Sequence, residues 1–452
     1  MPGVIPGRAN RESEKTVKYD LKTLMENDGF VCPSCGKRHF GGLKDCVVGS
    51  YVLPGLAALL KKYEISHPFI LCDTNTYRAA GAQVVELVKA AGLPYTLHIV
   101  ERDHPAPDEH IVGEALMYCP PEADGVVAVG GGVLNDTGKI IAAAKGIPDF
   151  IVATAPSMDG FASGTSSMER SGLKVSLKSK CPDVVIGDTE ILARAPVHMI
   201  LSGIGDILAK YTSIVEWKIA HLLVGDAYCE TIAEIVREAV AACVGAAKQA
   251  VAGDPNAVSH VMEGLVVTGL AMNYAGISRP ASGMEHYISH ILDMRALTFG
   301  TPSDLHGIQC GIATLMTVRA YEDLAKITPD REKALAYVRS FDPEAWNAHL
   351  RQRLGAGAEA IIAGERKEKK YDPAKHAARL EIILAHWDEI RGMIAELPAS
   401  GELEAFMKDI GHPTDFSEIG VSAEDSAEAF RMAKDIRDKY VLGSLLWDLG
   451  QL

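Results

Sequence analysis

Asp206, His286, His290 and His306 are the side chains of this sequence best suited to holding a catalytic divalent metal. Asp206 ends Gly203-Ile204-Gly205-Asp206, and the first two histidines lie in Ser282-Gly283-Met284-Glu285-His286-Tyr287-Ile288-Ser289-His290. His306 opens His306-Gly307-Ile308-Gln309-Cys310-Gly311. A spacing of four puts His286 and His290 on one helix face, where both can converge on one cation. Asp206 with one or two of these histidines makes the three-ligand, open-position set of a catalytic metal. The ligands stand far apart along the chain, so spacing alone leaves their pairing open. No His-Glu-x-x-His occurs, which disfavours a zinc peptidase.

A second group suits a phosphate-bearing ligand. Gly130-Gly131-Gly132-Val133-Leu134-Asn135-Asp136 follows a Val-rich run and opens a helical pattern. Bare backbone there can approach a ligand closely and aim N–H groups at a phosphate, and the helix N-terminus adds its dipole. The spacing differs from the Rossmann Gly-x-Gly-x-x-Gly, so that fingerprint does not apply. Thr154-Ala155-Pro156-Ser157-Met158-Asp159-Gly160-Phe161-Ala162-Ser163 is another polar turn after another apolar run. Thr154, Ser157 and Ser163 can bind a cofactor's amide or ribose, and Asp159 a substrate hydroxyl. The same residue types also cap helices, but two such turns after neighbouring strands favour the functional reading. Near the amino terminus, Cys32-Pro33-Ser34-Cys35-Gly36-Lys37-Arg38-His39 with Cys46 resembles half of a structural zinc site. It lacks a second cysteine pair. A tight turn with reduced thiols is the preferred reading, and zinc on Cys32, Cys35, His39 and Cys46 the alternative.

The elements that must position these groups follow from periodicity. Between 68 and 190, short β-branched runs (Pro68 to Asp73, Tyr95 to Val100, Asp124 to Gly130, Asp149 to Thr154) alternate with helical stretches at 77–92, 108–118 and 135–145. That alternation predicts a parallel sheet with helices on its faces and ligands at the carboxyl ends of its strands. Asp73, at the end of the first such run, is then placed for an adenine ribose or for a solvated turn. Beyond about 190, long Ala- and Leu-rich stretches predict helices almost alone. The expected fold is α/β: an amino-terminal extension over 1–50, a nucleotide-binding parallel-sheet domain over 51–190, and an all-helical metal and substrate domain over 191–452. The charged run from Glu365 to Pro373 reads as a solvated surface loop.

Composition narrows the function classes. The chain has 452 residues, 48% hydrophobic and 23% charged, with a net charge of −14. These values fit a globular chain, and so acidic a protein is a poor general binder of nucleic acid. No apolar run approaches a membrane span. The charged segment Met1 to Lys22 lacks the pattern of a secretory signal. Nine cysteines, mostly isolated among apolar residues, suit a reducing compartment, so the cytoplasm is expected.

The order GGGxxND, TAPSMDGxxS, GxGDxxxKY, SGxEHxxSH and HG, across about residues 45–330, resembles the sn-glycerol-1-phosphate dehydrogenase family. This family lies in the superfamily of iron-containing alcohol dehydrogenase, glycerol dehydrogenase and dehydroquinate synthase. The resemblance implies reduction of dihydroxyacetone phosphate to sn-glycerol 1-phosphate with NADH or NADPH and one divalent metal, with zinc or nickel favoured and iron an alternative. It implies that Gly130, Gly131, Gly132, Asn135 and Asp136 hold the pyrophosphate, and that Thr154, Ser157 and Ser163 hold the nicotinamide half. Asp159 binds substrate, and Asp206, His286 and His306 are the metal ligands, Asp206 also touching substrate. His290 becomes a substrate or proton-relay residue. Lys210 is the nearest candidate for the substrate phosphate, and Arg279 the second. A polyol dehydrogenase on an unphosphorylated substrate and a dehydroquinate-synthase-like lyase are the alternatives. The long tail after about 330 is expected to shape a lid or a homo-oligomer interface.

Overall fold

The computed structural model describes residues 21–25, 29–102, 105–170 and 173–452. All but the last two residues of the segment read for a secretory signal lie outside the described residues. The chain divides into two compact units. One, the α/β unit, takes its described residues up to Ile207 together with Glu230–Ser278; the other, the helical unit, takes Leu208–Cys229 and Arg279–Leu452.

The α/β unit opens with a small antiparallel ribbon, β1 (Phe30–Val31) and β2 (Arg38–His39). Its centre is a six-stranded parallel sheet of β3 (Asp45–Gly49), β4 (Pro68–Asp73), β5 (Thr96–Val100), β6 (Gly125–Gly130), β7 (Asp149–Ala153) and β10 (Val184–Asp188). The hairpin β8 (Thr165–Arg170) and β9 (Leu173–Lys178) stands apart from it. Strand order in the sheet is β3-β10-β7-β6-β4-β5. Strands β4, β6, β7 and β10 are buried along their whole length, which is why they read as continuous apolar runs rather than alternating ones. Ile70, Val127, Phe150 and Ile186 pack with Leu56, Leu60 and Val84 from the covering helices. Each such side chain contributes about 1.5–3 kcal/mol by leaving water, so Ile70→Asp would break the sheet at its centre.

From β4 the chain moves to the edge strand β5, then returns to the other side of β4 to place β6. Its direction therefore reverses between β4 and β6. In an open parallel sheet the crevice at such a reversal is where a ligand fits. The Gly130–Gly132 turn lies directly above it.

Local details differ from the periodicity in small ways. The helix expected at 77–92 begins as a π-turn at Tyr77–Gly81 and continues as Ala82–Ala90. The helix after β6 starts at Gly132, three residues before the expected Asn135. The helices Glu230–Val251 and Pro255–Ala275 belong to the α/β unit, although an unbroken helical domain was expected from 191 onward. The second approaches the 3-10 turn Asp159–Ala162 so closely that a Cβ on Gly269 would sit 2.7 Å from the Asp159 carbonyl oxygen. Its Asn273 donates to the carbonyls of Gly41 (2.6 Å) and Ala162 (2.8 Å) and accepts from the Gly164 amide at 2.9 Å. Helical periodicity is satisfied equally by either partner, so sequence could not assign these two helices.

In the helical unit, the described residues after β10 form no strand. The helices Met284–Phe299 and His306–Leu324 pack against each other at its centre. The carboxyl-terminal helix Leu442–Asp448 is entirely buried, and Asp448 accepts from Nε and Nη2 of Arg379 (2.9 and 2.7 Å) and from the Tyr440 hydroxyl (2.8 Å). The tail thus supplies core to this unit. The run from Glu365 to Pro373 is not a solvated loop throughout. Its first residues end the helix Gly357–Glu368, Glu365 is buried, and Tyr371 donates to Asp435 at 2.6 Å. Residues 366–369 and Pro373 face water, while Glu365 lies on the inward side of the helix end. No helix in the described residues is long and apolar enough to cross a membrane.

Candidate active site

The turn after β6 is a floor of backbone. A Cβ on Gly130 would lie 2.8 Å from that of Leu134, so a larger residue cannot be accepted without displacing the helix. A Cβ on Gly131 would lie 3.5 Å from Ser157 Oγ, and one on Gly132 3.5 Å from Met158 Cγ. The two polar turns are therefore neighbours, and the Thr154 amide donates to the Gly130 carbonyl at 3.2 Å. The first amides of the helix Gly132–Lys145 have no intrahelical acceptor, which makes this floor an anion cradle.

Several expected cofactor contacts point elsewhere. Asp136 pairs with the buried Lys139 at 3.0 Å and accepts from the Ser167 amide at 2.8 Å. Asn135 donates to Asp136 (3.0 Å) and to the Gly160 carbonyl (3.3 Å), while its own Oδ1 is buried without a hydrogen-bond partner. Ser163 is held by the Gly160 and Thr165 carbonyls (3.1 and 2.9 Å) and by Lys139 (3.2 Å). These groups shape the turn Asp159–Ala162 from beneath. Ser157 and Thr154 remain at its rim, both buried. At the end of β4, Asp73 caps the next helical turn, accepting from the amides of Asn75 and Thr76 at 2.8 Å each. In the same unit Asp206 is fully buried, and its Oδ2 accepts from the Asp159 amide at 2.9 Å. That bond fixes the backbone of the Asp159 turn to the Asp206 carboxylate.

In the helical unit, His286 and His290 project from the helix Met284–Phe299, and His306 is the first residue of the next. The rings of His286 and His306 lie 5.0 Å apart, and those of His290 and His306 are stacked at 5.5 Å. His286 Nδ1 is 2.9 Å from Glu285 Oε1, and His306 Nδ1 is 2.9 Å from Ser289 Oγ. Ser289 in turn accepts from Gln309 at 3.1 Å, and Gln309 donates to Asp293 at 2.8 Å. Such outer partners fix ring orientation and tautomer and leave Nε2 as the ligand atom. Cys310 Sγ lies 3.5 Å from His306 Nε2, and His286, His306 and Cys310 can bring their ligand atoms within 4.8 Å of one another.

Glu285 is wholly buried and also accepts from the Gly283 amide (2.6 Å) and the Thr212 hydroxyl (2.8 Å). Burial works against its charge, but the His286 hydrogen bond and these donors outweigh it and hold the carboxyl below its usual range. Glu216, buried beside it, is pushed up by burial and by the Glu285 charge, although it accepts from the amides of Met284 and Leu442. A Cβ on Gly283 would collide with the Glu216 carboxylate, so glycine is needed where the two carboxylates converge. Glu285 and Ser289 stand in the same sequence stretch as the histidines. Their adjacency, at −1 from His286 and −1 from His290, was the signal that could have assigned them.

Lys210, the first residue of the helix Lys210–Val224, is almost fully buried. Arg279 donates to the Tyr440 carbonyl at 2.7 Å and pairs with Asp226 at 2.5 Å. It is therefore committed to holding the carboxyl-terminal segment and is a poor second candidate for substrate phosphate.

Residues 47–196 match the iron-containing alcohol dehydrogenase family. The fold is shared with a probable glycerol dehydrogenase from Sinorhizobium meliloti, with a TM-score of 0.58 and 16% identity over 92% of this chain and 94% of that one. An archaeal alcohol dehydrogenase from a Red Sea brine pool gives 0.59 and 14%, over 92% and 98%. These likenesses set the class of fold, the one those dehydrogenases share. A glycerol-1-phosphate dehydrogenase (NAD(P)+) from Bacillus velezensis is 30% identical over 401 residues, 88% of this chain and 89% of that protein. One from Pyrococcus horikoshii is 30% identical over 310 residues, 67% and 86%. The chain belongs to the glycerol-1-phosphate dehydrogenase family.

Proposed function

We propose that this chain reduces dihydroxyacetone phosphate to sn-glycerol 1-phosphate with NADH or NADPH, using one divalent metal, in the cytoplasm. The observation that carries the reading is the histidine pair held at Nδ1, His286 by the Glu285 carboxylate and His306 by the Ser289 hydroxyl, in a chain similar over most of its length to enzymes of that name. One carboxylate and two imidazoles suit zinc, nickel or iron; Asp206, His286 and His306 are the ligands we assign.

When bound, the ion supplies a Lewis acid for the ketone oxygen and the nicotinamide supplies the hydride. The Gly130–Gly132 floor receives the pyrophosphate, and Ser157 and Thr154 meet the nicotinamide half. Asp159 accepts from a substrate hydroxyl and so fixes which face of the ketone is presented. His290 delivers the proton that the developing alkoxide needs. Glu285 keeps the Nδ1 proton of His286 in place, so that Nε2 carries the lone pair. Lys210 is assigned to the substrate phosphate.

Initial rates of NAD(P)H consumption test this, with dihydroxyacetone phosphate against dihydroxyacetone, and of its formation with sn-glycerol 1-phosphate against glycerol. A preference for the phosphorylated compounds is expected. Equal kcat/KM on both would replace the reading with a polyol dehydrogenase, and turnover without net NAD(P)H change would favour a lyase.

A further inference from the structure

The amino-terminal ribbon carries a second metal-ligating group that the proposed reaction does not use. Cys32 and Cys35 flank the turn between β1 and β2, and His39 ends β2. The Cys35 amide points at Cys32 Sγ (3.4 Å), and the Gly36 amide donates to the Cys32 carbonyl at 2.9 Å, with Gly36 at φ +70°. This turn aims both thiols to the same side. Cys35 Sγ lies 3.4 Å from His39 Nε2. His39 Nδ1 is 2.8 Å from the Tyr274 carbonyl oxygen, which sets the proton on Nδ1 and leaves Nε2 for a ligand. The ligand atoms of Cys32, Cys35 and His39 all fall within 4.8 Å of one another. Tetrahedral zinc with bonds of about 2.3 Å to sulfur and about 2.0 Å to nitrogen places such atoms roughly 3.5 Å apart.

The sequence offered Cys46 as the fourth ligand. Cys46 is instead a sheet residue on β3, with Val185 of β10 as its neighbour. Ser34, between the two knuckle cysteines, contacts the Thr231 amide (3.3 Å) and hydroxyl (3.0 Å). Thr231 lies only two residues beyond Cys229, so the chain itself delivers Cys229 to the knuckle. Cys32, His39 and Cys229 are all buried. Three thiols and an imidazole gathered at one point make a Cys3His donor set, which takes zinc as its thiols give up their protons.

We propose that Cys32, Cys35, His39 and Cys229 bind a structural zinc ion, distinct from the catalytic metal. Through His39 and Tyr274 it anchors the last turn of the helix Pro255–Ala275, whose Asn273 holds the turn that carries Asp159.

Elemental analysis of the full-length protein after brief treatment with a weak chelator tests this, alongside Cys229→Ser, Cys35→Ser and His306→Ala. One chelator-resistant zinc per chain is expected in the parent and in His306→Ala, and none in the two thiol variants. In the cobalt-loaded parent, a thiolate-to-metal charge-transfer band is expected that Cys229→Ser weakens. A parent without resistant zinc and without that band overturns the site. Full zinc and an unchanged band in Cys229→Ser overturn the assignment of the fourth ligand. If the thiol variants do not fold, the parent decides alone: a mercurial reagent should release the resistant zinc as thiols are titrated, and failure to do so counts against thiolate ligation.

Discussion

Glu285 and His286 are neighbours in sequence whose side chains also meet, with Oε1 of one 2.9 Å from Nδ1 of the other inside a site from which water is excluded. Consecutive residues on a helix point about 100° apart, so this contact requires Glu285 to curl back over the helix start, where the Gly283 amide receives it. Glu285→Gln keeps an acceptor for His286 and removes the charge. Metal affinity should fall about 10–100-fold, read by titrating the metal-stripped enzyme, with the fold unchanged by circular dichroism. Unaltered affinity would remove Glu285 from the supporting shell.

His306→Ala should abolish turnover and empty the catalytic metal position. The measurement is metal content alongside rate. Loss of rate with full metal content would leave His306 a role other than ligation.

For Asp159→Ala, kcat/KM for dihydroxyacetone phosphate should drop by about 100-fold or more, the scale of removing a positioned catalytic contact. NADH binding, followed by fluorescence titration, should stay near that of the parent. The Asp159 amide, which holds Asp206, survives this change. Loss of NADH affinity instead would move Asp159 to the nucleotide site.

Asp73→Ser separates capping from charge, because serine also accepts from the amides of a helix N-terminus. If the Asp73 carboxylate faces the adenosine ribose, removing it should raise kcat/KM with NADPH relative to NADH. An unchanged ratio would confine Asp73 to its capping bonds.

Asp149 makes stability depend on pH. Burial at the start of β7 pushes its carboxyl up to about 7, opposed by Lys139 and Lys180 and reinforced by Asp183 and Asp136. The folded protein therefore holds a proton that the unfolded chain releases near pH 4. This contribution is fully present below that pH, fades as pH rises, and is lost above about 7. Over that window it amounts to about 4 kcal/mol at most. Asp149→Asn should remove this slope and be the more stable protein above pH 7, as measured by denaturant unfolding at several pH values. Parallel curves for parent and variant would show that Asp149 is ionised in the fold.

The parallel sheet, the glycine turn and the histidine-bearing helices are legible along the chain. Those are local: continuous Val and Ile runs, a glycine cluster and a spacing of four each imply one geometry over a few residues. The sequence also held the family resemblance, because the motifs occur in order along one strand of text. Choices among partners rest on how the folded chain packs. Asp136, Ser163 and Arg279 carry the right chemistry for ligands, yet Lys139, the Gly160 carbonyl and Asp226 occupy them. Cys46 was the nearer cysteine to the knuckle along the chain, but a strand holds it in the sheet while Thr231 brings Cys229. The helices 230–251 and 255–275 read like their neighbours yet belong to the unit that holds the sheet. Asp136 and Ser163 are held in part by neighbours three residues away, but for Arg279, the knuckle and the two helices the deciding quantity is a distance across tens to hundreds of residues, which no pattern along the chain encodes.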